Sequence, residues 1–372
     1  MSANLSKTLN RSRIRVLVVD DSVVIRNVVS LAFKGDPLLE VVGTASNGAI
    51  ALAKIPQLNP DVITLDIEMP EVDGLETIRQ VRAKYPDIFI IMFSTLSTPG
   101  AAATLDALML GANDYVPKPA NCGSIDESIA VLREELIPKV KQFFRLCSAS
   151  AAPVHMPSVQ ATARSFAAIT GTGNPAVVAI GVSTGGPNAL SAMMPMFPAD
   201  FAYPVLIVQH MPQVFTRLLA ERLQKLTPLR VEEATEGCRV EPGKVLIAPG
   251  AYHMNVIRSA NEVVVLLDQS TPRNSCRPSV DVLFESVQAV YGGCAVGAVL
   301  TGMGQDGLRG AEALKASGAF IIAQDEATSV VWGMPGYVVR AGLADAVVPL
   351  HEVVPAILSR FGPRTAAYRR LG

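Results

Sequence analysis

The chain has 372 residues, 49% of them hydrophobic and 17% charged, with a formal net charge of −1. That length accommodates two or three domains, each burying its own core. With no Lys/Arg block beyond a short tail at 364–370, nothing supports a nucleic-acid surface, and no apolar run reaches the roughly 18 residues a membrane span needs. The polar first residues do not read as a signal peptide, so the expected location is the cytoplasm, without membrane insertion.

Ile14-Arg15-Val16-Leu17-Val18-Val19 is an apolar strand ending in Asp20-Asp21, and Ser22 is a plausible N-cap for a helix that stops before Gly35. The alternation repeats with strand 40–45, helix 49–58, strand 62–65 ending in Asp66, helix 75–84 and strand 88–93 ending in Ser94. Helix 101–110, strand Tyr115-Val116 and helix 125–144 complete five βα units, the pattern of a parallel doubly wound sheet. In such sheets chemistry gathers at the carboxyl ends of the strands. Asp20, Asp21, Asp66, Ser94 and Lys118 all fall there. Converging carboxylates repel unless a cation joins them, and an oxygen-only ligand set favours Mg²⁺. Any one of these residues is as readily a cap or turn former, but all five in register point to a site.

These residues carry a resemblance. Leu17 to Ser22, Leu65-Asp66-Ile67-Glu68-Met69-Pro70 with Asp73-Gly74, Ser94, and Gly111 to Pro119 are similar to a response-regulator receiver domain. The resemblance implies a flavodoxin-like fold over residues 13–145. It also implies Asp66 as phosphoacceptor, Mg²⁺ held by Asp20, Asp21 and Asp66, and Ser94, Lys118 and Tyr115 as the phosphorylation switch. A histidine kinase is then the phosphodonor.

Residues 146–175 are rich in Ser, Ala, Pro, Gly and Thr, which reads as a mobile linker. Val177 to Val182 is an apolar strand that delivers Ser183 onto Thr184-Gly185-Gly186-Pro187 and a helix over 187–194. Gly-x-Ser-x-Gly on a strand-to-helix corner is the pattern of a nucleophile elbow, although a phosphate-cradling or merely connecting turn reads the same way. Strand 205–208 leads to His210 and helix 214–226. A hairpin-rich insert covers 245–250, 252–257 and 263–267, followed by helix 279–291. Strand 295–301 ends in Gly302-Met303-Gly304-Gln305-Asp306-Gly307, before helix 308–317, strand 320–323 and helix 352–361.

Three strand ends thus present Ser183, His210 and Asp306, sufficient for acyl transfer with His210 as base and Asp306 orienting it. The order Ser, His, Asp differs from that of α/β-hydrolases. His253 is the rival base and His351 reads as a helix cap. Gly302 to Gly307, with Asp325 about 20 residues on, also fits a dinucleotide fingerprint, although Asp306 would then oppose the pyrophosphate. The five cysteines, Cys122, Cys147, Cys238, Cys276 and Cys294, have no C-x-x-C spacing and read as reduced and structural.

Gly181 to Pro187, Gln209-His210-Met211-Pro212, Ala248-Pro249-Gly250, Arg277-Pro278-Ser279-Val280-Asp281 and Thr301 to Gly307 resemble the catalytic domain of the chemotaxis protein-glutamate methylesterases. The resemblance implies a Rossmann-like α/β domain over 176–365 that demethylates glutamyl γ-methyl esters on chemoreceptors, releases methanol, and deamidates receptor glutamines. Ser183, His210 and Asp306 carry over as the triad, with Met303 and Thr184 as oxyanion donors and no cofactor for the ester chemistry. Val182 and Cys276 depart from the usual alanine and histidine. The domain order implies that the unphosphorylated receiver packs over the Ser183 face. The alternative is a receiver-regulated nucleotide- or partner-binding module without esterase activity.

Overall fold

The computed structural model describes residues 13–94, 97–119, 124–144 and 175–361. The expected linker, up to residue 174, lies outside the described residues, as do His155, Cys122, Cys147 and the basic tail.

The first sheet is five-stranded, parallel, and ordered β2-β1-β3-β4-β5. Its strands are β1 (Ile14–Val19), β2 (Leu39–Ala45), β3 (Val62–Asp66), β4 (Phe89–Ser94) and β5 (Asp114–Pro117). Its helices are α1 (Val23–Phe33), α2 (Gly48–Leu58), α3 (Gly74–Lys84), α4 (Thr98–Met109) and α5 (Ile125–Phe143). Ser22 caps α1 through the Ile25 N–H, and Asn47, Asp73, Ser97 and Ser124 cap the other four in the same way. Each oxygen satisfies an N–H that has no partner inside its helix. The period of two along β1 sorts its side chains. Ile14, Val16 and Val18 pack with Phe33 and Leu132, whereas Leu17 and Val19 face the opposite side with Ile55 and Ile78.

The second sheet is seven-stranded, parallel, and ordered β14-β13-β12-β6-β7-β9-β8. It contains β6 (Val177–Val182), β7 (Val205–Gln209), β8 (Arg230–Glu233), β9 (Lys244–Ile247), β12 (Ala295–Val299), β13 (Phe320–Gln324) and β14 (Ala346–Val348). A separate antiparallel hairpin joins β10 (His253–Ser259) to β11 (Glu262–Asp268). Its helices are α6 (Gly186–Met193), α7 (Gln213–Gln224), α8 (Val280–Tyr291), α9 (Leu308–Ala316), α10 (Met334–Arg340) and α11 (Leu350–Leu358). The hairpin-rich insert needs correction at one end, because residues 244–247 pair in parallel with both β7 and β8. Three elements, β8, α10 and β14, were not expected from the sequence. His351 lies inside α11, whose N-cap is Pro349.

The chain leaves β6 toward β7 and β9, then returns across to β12 on the other side of β6. That reversal opens a crevice at the carboxyl ends of β12, β6 and β7, where open α/β sheets bind ligands. Val178, Ile180 and Val182 belong to one buried cluster together with receiver residues Leu17, Leu105 and Leu108, so the two sheets share continuous apolar packing. Val177 and Ala179 face the other cluster, with Phe284 of α8. No described helix is long and apolar enough to cross a membrane.

Phe284 of α8 is fully buried. Replacing it by alanine is expected to cost about 3–5 kcal/mol of stability. Chemical denaturation checks this, and an unchanged midpoint would contradict the packing described.

Candidate functional site

β6 ends at Val182, and the next residue is pinned through its backbone. The Ser183 N–H donates to the Thr301 carbonyl at 3.0 Å, and the Ser183 carbonyl accepts from Gly186 N–H at 2.8 Å and Gln209 Nε2 at 3.0 Å. Two glycines make this corner possible. Gly185 has φ +78°, and a Cβ at Gly302 would meet Ser183 Cβ at 2.7 Å. Among the described residues, the Ser183 hydroxyl has no hydrogen-bond partner.

Asp306 is 2% exposed and surrounded by donors. Its Oδ1 accepts from Ser279 Oγ at 2.8 Å, Asn274 Nδ2 at 2.9 Å and Asp281 N–H at 3.3 Å. Its Oδ2 accepts from Val280 N–H at 2.6 Å and meets His210 Nε2 at 2.8 Å. Ser279 makes no side-chain cap for α8, so the Asp306 carboxylate supplies that function from another loop. Burial pushes this carboxyl up, but His210, Asn274 and the helix N–H groups outweigh burial and hold it at about 2. Burial likewise disfavours the imidazolium, yet the bonds to Asp306 and Cys276 raise His210 from 6.5 to about 9.

The ionised carboxylate can only accept, so Nε2 carries hydrogen and Nδ1 is the nitrogen left for proton transfer. Cys276 Sγ lies 3.6 Å from that Nδ1. The rival base does not reach this crevice. His253 is fully buried at the start of β10, its Nε2 facing the Thr271 carbonyl at 3.3 Å. His351 is exposed and 4.0 Å from Glu352.

The dinucleotide reading fails at both ends. Asp306 is consumed at the N-terminus of α8, and Asp325 Oδ1 accepts from Thr328 N–H at 2.9 Å and Thr328 Oγ1 at 2.6 Å, closing its own turn.

At the first sheet, ligand oxygens of Asp20, Asp21 and Asp66 all lie within 4.8 Å of one another. Lys118 Nζ sits 2.7 Å from Asp66 Oδ2 and 3.0 Å from Asp20 Oδ2. Asp20 Oδ2 is buried and has only that ion pair, while its Oδ1 accepts from Ser22 N–H at 2.8 Å. Three carboxylates with an underused oxygen fit a hard divalent cation such as Mg²⁺. Burial, reinforced by Asp20, keeps the Asp66 pKa raised although Lys118 opposes it. Ser94 Oγ accepts from Thr104 Oγ1 at 2.6 Å and donates to the Gly100 carbonyl at 3.2 Å.

Tyr115, expected in the phosphorylation switch, faces the second sheet. Tyr115 stacks on Phe215 of α7 with ring centroids 4.8 Å apart, and burial pushes its phenol pKa up. Around it, Thr184 Oγ1 donates to Asp114 Oδ2 at 3.0 Å, and Asn188 Nδ2 donates to the Ala112 carbonyl at 3.2 Å. Arg222 forks onto Asp106 through Nε at 2.9 Å and Nη2 at 3.0 Å. Sequence reasoning missed Asn274, Gln209, Asp114, Asp106, Arg222 and Phe215. Asn274 had a readable signal, since Asn tolerates the positive φ of 51° found there. The interface residues had none, because pairing across a linker leaves no periodic trace.

The chain matches the family models CheB methylesterase over residues 178–357 and Response regulator receiver domain over residues 16–130. It is similar to a protein-glutamate methylesterase/protein-glutamine glutaminase of Trichodesmium erythraeum, 48% identical over 94% of this chain and 99% of the relative. A relative of the same name from a Nocardioides species is 51% identical over 93% of this chain and 95% of its own. Among solved structures, the Thermotoga maritima CheB methylesterase catalytic domain is 40% identical over 50% of this chain and 98% of that one, with a TM-score of 0.49.

Asp306→Asn removes the charge that holds the imidazolium. His210 is expected to titrate well below its present value of about 9, toward the ordinary 6.5. Ring-proton NMR reads this directly, and an unshifted His210 would show that its pKa is set elsewhere.

Proposed function

We infer, for a chain that belongs to the CheB methylesterase family and carries a response regulator receiver domain ahead of the enzyme, that it hydrolyses glutamate γ-methyl esters on chemoreceptors. Its activity is that of a protein-glutamate methylesterase with protein-glutamine deamidase activity, serving chemotactic adaptation. The observation that carries this reading is the 2.8 Å His210–Asp306 bond at the strand ends flanking Ser183, whose hydroxyl has no partner among the described residues.

In this reading Ser183 Oγ attacks the γ-carbonyl of a methylated glutamate while His210 Nδ1 takes its proton. Asp306 keeps the imidazole in the tautomer that presents Nδ1 and stabilises the imidazolium that forms. The Met303 and Thr184 backbone N–H groups, neither of which is committed to another described acceptor, are the proposed oxyanion donors. One such donor is typically worth about 2.7–4 kcal/mol of barrier. His210 returns the proton to the methoxy oxygen, methanol leaves, and water repeats the sequence to free the glutamate and Ser183. With glutamine the leaving group is ammonia.

A receiver over 13–145 would gate this chemistry from across the linker at 146–175, acting on a catalytic domain at 176–365. Asp66 is the proposed phosphoacceptor, with a chemotaxis histidine kinase as donor. Asp20, Asp21 and Asp66 would hold Mg²⁺, which neutralises phosphoryl charge when bound. Lys118 would move to the new phosphoryl oxygens, together with Ser94. Support for gating comes from Asp114, which engages Thr184 next to Ser183, and from Tyr115 stacked on Phe215 of the helix that follows His210. The protein is expected to act in the cytoplasm on the receptors' interior portions.

Methanol release from methylated receptor membranes tests the chemistry. Ser183→Ala is expected to abolish release, and Asp66→Asn to lose its response to a small phosphodonor. Release that persists in Ser183→Ala would sink the assignment.

The pH profile follows from the sign of the His210 shift. A base must be neutral, and a raised pKa leaves it protonated at neutral pH. We expect kcat/KM to climb from pH 7 toward pH 9, where the His210 pKa of about 9 is approached. A profile already flat above pH 7 would contradict this.

Arg222→Ala removes a partly exposed ion pair worth about 0.2–1 kcal/mol, so the unphosphorylated rate should rise by up to about fivefold. The rate of the phosphorylated enzyme should barely change, and equal changes in both states would exclude the gate.

A further inference from the structure

We propose that Cys276 and His210 form a binding site for a soft divalent cation of the zinc class, with Asp306 as the supporting carboxylate, and that filling it silences the esterase. The inhibitory consequence rests on the proposed esterase reading, whereas the binding itself does not.

The donors are already assembled. Nitrogen, sulfur and carboxylate oxygen of His210, Cys276 and Asp306 lie within 4.8 Å of one another. Cys276 Sγ and His210 Nδ1 are 3.6 Å apart, close to the roughly 3.3–3.6 Å separating two ligands on tetrahedral zinc with Zn–S near 2.3 Å and Zn–N near 2.0 Å. Closing the chelate therefore asks for little movement. Asp306 does not need to leave its place. Both its oxygens are occupied by α8 N–H groups, Ser279, Asn274 and His210 Nε2, which favours the arrangement in which a metal-bound imidazole donates its other N–H to a carboxylate. That partner orients the ring and strengthens Nδ1 as a ligand.

Charge and chemistry agree. Asp306 and the neighbouring buried Asp281, joined through Asn274 Nδ2 at 2.9 and 2.8 Å, make the pocket favourable for a cation. Sulfur and imidazole select Zn²⁺ or Cd²⁺, whereas the oxygen cluster of Asp20, Asp21 and Asp66 selects Mg²⁺. Binding forms one metal–sulfur and one metal–nitrogen bond. It releases the thiol proton and, where His210 is charged, its Nδ1 proton as well. The same Nδ1 lone pair accepts the Ser183 proton in the proposed reaction, so the metal and catalysis exclude each other. Water can fill the remaining positions.

The test uses the full chain in excess Mg²⁺, which fills the oxygen site, titrated with Cd²⁺ and followed by the thiolate-to-cadmium charge-transfer absorbance. One equivalent is expected to produce the band in the wild type, and Cys276→Ser should lose it. Asp306→Asn should bind about 10–100-fold more weakly. His210→Gln provides a second variant should Cys276→Ser fail to fold, and it too should bind at least tenfold more weakly. Zn²⁺ should inhibit methanol release in the wild type, with recovery on chelation. A band of equal size in wild type and Cys276→Ser, or no band in the wild type, overturns the site. A cadmium band that behaves as expected in a protein releasing no methanol leaves the site standing and removes the esterase reading instead.

Discussion

A single buried carboxylate organises the second half of this protein. Asp306 sits where an isolated charge would be very costly, and the fold surrounds it with two N–H groups of α8, a serine hydroxyl, an asparagine amide and an imidazole. Each donor imposes a structural demand. Val280 and Asp281 must begin a helix whose own Ser279 does not cap it, Asn274 must accept a positive φ, and His210 must arrive from β7, two strands over from β12. The demands are met because β12, β6 and β7 are adjacent and parallel, so their carboxyl ends converge. Polar satisfaction and the proposed chemistry thus use the same set of bonds.

The two sheets are coupled by a different kind of contact. The packing between them is largely apolar, with α4 of the receiver against α6 and α7, and Tyr115 stacked on Phe215. Polar contacts such as Thr184–Asp114 and Arg222–Asp106 are set at its edges. Such an arrangement suits a reversible contact. Partly exposed charges contribute orientation more than affinity, and moving one aromatic ring changes a large share of the buried area. Asp114 occupies both worlds, since its Oδ1 pairs with Lys139 of the receiver at 2.9 Å while its Oδ2 holds Thr184.

Much of this was legible in the sequence. Apolar runs that stop at Asp20, Asp66, Ser94, Ser183 and His210 locate the strand ends, because a strand buried on both faces is mostly apolar, with few exceptions such as Arg15 and Thr64. The family resemblance then supplies roles that periodicity cannot. What escaped has physical reasons. β8 reads Arg-Val-Glu-Glu and lies at an edge, where solvent tolerates charge; α10 contains Pro335 and Gly336, both poor helix signals; and β14 is three residues long. β9 looked like part of a hairpin because its neighbours in sequence form one, although its partners are β7 and β8. Cys276, with no C-x-x-C partner, read as reduced and structural, and only the fold brings its sulfur to His210.

The two buried aspartates show how environment separates chemical roles. Asp306 and Asp66 are both nearly inaccessible, at 2% and 4% exposure, and burial raises the pKa of each. For Asp306 the surrounding donors win and its carboxyl falls to about 2, so every lone pair is committed and the group can orient but not react. Asp66 accepts the Ile67 N–H at 2.8 Å and pairs with Lys118, and there burial prevails, with Asp20 adding repulsion. A carboxylate held less firmly in its charged state, sharing one ammonium with the neighbouring Asp20, has fewer of its lone pairs committed. Five donors make Asp306 an anchor, whereas one lysine and one N–H suit Asp66 to the phosphoacceptor role proposed for it.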